Sequence, residues 1–126
     1  MAIKITHDAN APTASIELVI KRPLPDYDLD KVEATIPREV DPILASQGFK
    51  DLLDEVRSIL EQELGDGGLE IAQLTGAICH DNGVHRPGIW VVVRETGAVP
   101  GQAMSPAAQA KVAVAAEAVR TSLQLS

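Results

Sequence analysis

Cys79 and His80 are adjacent in the chain, His85 follows shortly after, and three aspartates alternate at Asp26, Asp28 and Asp30. These are the side chains with chemistry to offer. Two imidazoles on neighbouring strands could share a zinc or nickel ion. Carboxylates at alternate positions of a turn could ligate calcium. A thiol beside an imidazole suggests a nucleophile and its base.

Each reading meets a difficulty within the sequence. A calcium loop wants glycine at its sixth position and glutamate at its twelfth, and here those positions hold Lys31 and Pro37. The plainer account is an acidic surface loop. A zinc site needs more ligands than two histidines, and only Asp81 lies near them in sequence. The plainer account is a polar hairpin tip. On a regular strand Cys79 and His80 point to opposite faces, so the histidine cannot serve the thiol, and His7 is the one other histidine. A structural thiol fits better.

Gly65-Asp66-Gly67-Gly68 is no phosphate loop, because the order is helix then strand and the carbonyl end of a helix repels phosphate. Carboxylate pairs such as Glu61 with Glu63, or Asp54 with Glu55, suit a solvated helix surface. No G-x-S-x-G, H-E-x-x-H, C-x-x-C or P-loop pattern occurs. The sequence therefore predicts no catalytic residue, no cofactor and no complete metal site.

The elements that must position these residues are clearer than the residues' purpose. At 126 residues and 45% apolar composition, the chain suits a single domain over 1–126 with a real core. The core must be aliphatic, since Tyr27, Phe49 and Trp90 are the only aromatics. So few stacking surfaces, with a net charge of −7, argue against nucleic-acid binding and against anionic membranes. A basic partner is the sharper reading of that charge, and a solvated surface the plainer one. One cysteine permits no internal disulfide. No long apolar stretch marks a signal peptide or a membrane span, so the cytoplasm is the expected compartment.

Alternation of Ile3 and Ile5, and of Ile16, Leu18 and Ile20, predicts two strands, the second closed by Pro23 and Pro25. Lys31 to Ile36 alternates again and could be a third. Asp41-Pro42 reads as an N-cap and first helical position, with Gly48 dividing a short turn from a longer helix that starts near Ser46. The stripe Phe49, Leu52, Leu53, Val56, Ile59, Leu60 and Leu64 marks that helix, and Gly65 caps it. Ser105-Pro106 starts a last helix with the stripe Ala108, Val112, Ala115, Ala116, Val119 and Leu123.

Between them, Leu69 to His80 and Ile89 to Glu95 read as strands joined at Asn82-Gly83, a pair suited to the two positive φ angles of a type I′ turn. That turn sets the register. Asp81 faces Val84, His80 faces His85, Ile78 faces Pro87, Gly76 faces Ile89, Leu74 faces Val91 and Ala72 faces Val93, all but the tip on the core face. Thr75 opposite Trp90 and Gln73 opposite Val92 occupy the other face. Pro87 and Gly88 are expected to interrupt the ladder near the tip.

The fold class is thus α+β: a two-layer sandwich with an antiparallel sheet of four or five strands, in two hairpins, and two helices packed on it. Ile89 to Val93 is apolar on both faces, which places the second hairpin centrally and leaves Trp90 and Val92 needing cover. The functional expectation is a non-catalytic protein-binding or assembly module acting as a homo-oligomer, most simply a dimer. Its contact surface would be Trp90 and Val92, or Val112, Ala116 and Val119 on the alanine-rich helix. A small-molecule or metal-binding regulatory domain is the alternative, and an enzyme without recognisable motifs a third.

Overall fold

In the computed structural model, residues 3–20, 38, 40–65 and 68–123 are described. The aspartates Asp26, Asp28 and Asp30, the strand expected at Lys31 to Ile36, and Pro23 and Pro25 lie outside the described residues. Elements follow in the order β1 (Ile3–His7), β2 (Thr13–Val19), α1 (Asp41–Leu44), α2 (Gln47–Leu64), β3 (Leu69–Asp81), β4 (Val84–Glu95) and α3 (Pro106–Leu123). The described strands form one antiparallel sheet in the order β1-β2-β4-β3. Both long helices lie on one face of it, α2 against β3 and α3 against β1 and β2, and they pack on each other. The architecture is the two-layer α+β sandwich.

The second hairpin forms as its turn chemistry dictates. Asn82 and Gly83 take φ of 49° and 84°, the two left-handed positions of a type I′ turn. The register then runs from Asp81 opposite Val84 to Gln73 opposite Val92. Two expectations are corrected here. A bulge between Ile71 and Gln73 sets Ile71, not Ala72, opposite Val93. The ladder also continues through Pro87 and Gly88, paired with Ile78 and Ala77. Hydrogen-bonded and non-hydrogen-bonded pairs alternate from the turn, so Pro87 falls on a pair whose N–H would point away from β3 and no bond to that strand is lost. On its other side the Pro87 carbonyl accepts from the Ile20 N–H, at 3.0 Å. In the described sheet β4 is an inner strand and β3 lies at the edge.

The two long helices begin where serines satisfy their free amides. The Phe49 N–H donates to Ser46 Oγ at 3.2 Å, and the Ala108 N–H to Ser105 Oγ at 3.2 Å. The break between α1 and α2 falls at Ala45 and Ser46, leaving Gly48 inside α2 and buried. Asp41 is the first residue of α1 and not its cap, a role that falls to Val40 without a side-chain bond. Gly65 caps α2 in a right-handed conformation, and Gly68 is left-handed, at φ 70°.

Ile16, Leu18, Ile89, Val91 and Val93 from the sheet meet Phe49, Leu52, Val56 and Leu60 from α2 and Val112, Ala115, Ala116 and Val119 from α3 in one core. Val112, Ala116 and Val119 are 0%, 2% and 0% exposed, so the stripe offered as a contact surface is instead consumed inside the chain. Small side chains let α3 approach closely, but the neighbour is its own sheet and α2. The core face of the hairpin is as expected at Leu74, Ile89, Val91 and Val93. Ile78 is on that face but 39% exposed, because it lies on β3, at the edge of the described sheet, whereas Pro87 opposite it on β4 is buried.

Candidate functional site

Among the described residues three places could carry function: the sheet face opposite α2 and α3, the hairpin tip and Cys79. With both long helices on one side, alternation assigns the residues of the other face. One row crosses Lys4, Glu17, Trp90 and Thr75, and the next Thr6, Ser15, Val92 and Gln73. Trp90 and Val92 are half-buried, between exposed Thr75 and Gln73 on one side and half-buried Glu17 and Ser15 on the other. A third row pairs Thr13, Arg94 and Glu70, and Arg94 Nε donates to Glu70 Oε1 at 2.7 Å. The face is an apolar centre in a polar and charged frame.

Cys79 belongs to the same face, at its end towards the hairpin turn. It is 3% exposed, and its Sγ lies over Gly88: a β-carbon there would stand 2.2 Å from the sulfur and 2.9 Å from the Leu18 carbonyl oxygen. Burial first, then the charge of Glu17 and a hydrogen bond to it, push the thiol up to about 12. Such a thiol is neutral at pH 7 and a poor nucleophile. Sequence reasoning missed the part of Glu17, because nothing in the sequence announces that β2 lies beside β4.

At the tip, His80 and His85 pair across the strands as expected, with ring centroids 5.2 Å apart and the planes at 70°. His80 is exposed and His85 half-buried, and His85 Nδ1 is sealed from solvent without a hydrogen-bond partner. Among the described residues no group of three or more His, Cys, Asp and Glu could hold a metal ion.

One carboxylate was not singled out by the sequence. Glu95, at the end of β4, accepts from the Ser105 N–H at 3.0 Å and from Ser105 Oγ at 2.7 Å. These two bonds hold its carboxyl below the usual range. Its work is structural, since it ties the last strand to the start of α3.

The described residues thus form a two-layer α+β domain with Trp90 and Val92 half-buried on the sheet face opposite α2 and α3. No protein family, no curated protein and no solved structure matches the chain. Among the described residues, no helix is long and apolar enough to cross a membrane.

Proposed function

We propose that this domain is a non-catalytic assembly module that acts as a homo-oligomer, with the sheet face around Trp90 and Val92, opposite α2 and α3, as its contact surface. One observation carries the reading. Both long helices pack on the same side of the sheet, and the opposite side presents the chain's single tryptophan at its centre, in a polar frame. Aromatic centres with polar rims are the usual anatomy of protein interfaces. A two-fold contact between two such faces would cover the same residues on each copy. The buried stripe of α3 leaves this face as the remaining one of the two surfaces considered.

Light scattering on the purified chain tests the proposal. A dimer mass at tens of micromolar protein is expected for the wild type. Val92→Lys, which places a charge at the centre of the face, should yield monomers with an unchanged circular dichroism spectrum. A monomeric wild type at that concentration overturns the reading, as does a dimer that Val92→Lys leaves intact.

A further inference from the structure

We propose that the tip of the second hairpin is a chelating site for a divalent transition ion, with His80 and His85 as its two protein ligands. Three features of the hairpin carry this. First, the type I′ turn at Asn82-Gly83 makes Asp81 and Val84 the pair next to the turn. By alternation His80 and His85 form a non-hydrogen-bonded pair, the kind in which opposed side chains stand closest. Second, the two rings are already in contact edge to face, their centroids 5.2 Å apart. An ion bound to two imidazoles needs their nitrogens roughly 3 Å apart, at metal–nitrogen distances of about 2.0–2.1 Å. The terminal torsion of a histidine is broad, so turning one exposed ring achieves this without moving the strands. Third, His85 Nδ1 is shielded from water and makes no hydrogen bond. A buried polar atom left in that state costs free energy, and a cation lodged between the rings would satisfy it.

The chemistry selects the class of ion. Imidazole suits copper, nickel and zinc, whereas calcium and magnesium require oxygen ligands. With two imidazole ligands and no larger ligand cage to impose a geometry, affinity follows the intrinsic order of the metals, with Cu²⁺ ahead of Ni²⁺ and Zn²⁺. The chain's net charge of −7 favours the approach of any cation. The site lies at the tip of the hairpin and neither histidine belongs to the buried core, so the ion is a ligand of the folded domain and not a part of its core.

Isothermal titration of the metal-free chain with Cu²⁺, Ni²⁺, Zn²⁺ and Ca²⁺ tests the assignment, alongside His80→Ala, His85→Ala and, as a control, His7→Ala. One Cu²⁺ per chain is expected. Either tip substitution should weaken it at least tenfold, His7→Ala should leave it unchanged, and Ca²⁺ should not bind. A second readout is independent of affinity: substoichiometric Cu²⁺ should broaden the ring resonances of His80 and His85 before those of His7. Equal Cu²⁺ affinity in wild type and both tip variants overturns the site, and so does broadening centred on His7. The outcome is independent of the proposed assembly, because the ligands come from one chain.

Discussion

Cys79 shows how a residue's surroundings settle its chemistry. Its neighbour His80 points to the other face of the strand, and its own face offers burial and the carboxylate of Glu17, both of which favour the protonated thiol. The pH dependence follows from the sign of the shift. The thiol titrates near 9.0 when the chain is unfolded and near 12 when it is folded, so the unfolded chain loses this proton first. Stability contributed by the group is complete below pH 9.0 and declines as pH rises towards 12. Urea unfolding of wild type and Cys79→Ser at a series of pH values checks this. The wild type should lose stability relative to the variant above about pH 9. A difference constant to pH 11 counts against the buried thiol. Cys79→Ser should also leave oligomeric state unchanged at neutral pH.

The clearest link between elements is Glu95 with Ser105, where the end of β4 meets the start of α3. Ser105 serves both sides: its Oγ accepts from the Ala108 N–H as a helix cap and donates to Glu95. Because the folded carboxyl titrates below its ordinary value near 4.5, it contributes stability above that pH, and the contribution is lost as pH falls through the depressed value. Glu95→Gln should therefore lower the thermal midpoint at pH 7 and make progressively less difference as the pH is taken below 4.5. Ser105→Ala removes the cap as well and should cost about 1 kcal/mol at neutral pH. A Glu95→Gln deficit that persists undiminished at low pH would show that the carboxylate's charge is not what matters. The capping serine was legible from Ser105-Pro106. Its partner was not, because a single glutamate at a strand end has no pattern to mark it.

At the scale of the whole molecule, stability rests on one aliphatic core in which, among the described residues, Phe49 is the sole aromatic ring. Gly76 lets that ring lie on the sheet: a β-carbon there would stand 2.8 Å from Phe49 Cε1. The described core is a continuous apolar cluster, and His80 and His85 at the hairpin tip lie outside it. Heat unfolding should give the same midpoint with and without a strong chelator. A fall of many degrees with chelator would mean that a metal is part of the folded core.

The sequence by itself determined what depends on neighbours along the chain. Apolar spacing located the helices and their buried faces, serines followed by a helical stripe marked their starts, and Asn82-Gly83 set a turn that placed Trp90 and Val91 on opposite faces. Local rules also erred at the limit of their reach. They had Pro87 breaking a ladder that it does not break, because the missing N–H matters only on the side where a partner strand needs it. The bulge at Ile71 to Gln73 had no turn or glycine to announce it. Tertiary structure alone decided which strands are neighbours. The order β1-β2-β4-β3 puts Glu17 beside Trp90 and within reach of Cys79, and it leaves β3 rather than β4 at the edge of the described sheet. It also decided that both long helices share one face, which spends Val112, Ala116 and Val119 in the core and leaves Trp90 on the opposite one. An apolar stripe states that a face must be buried, and the fold supplies the surface that buries it.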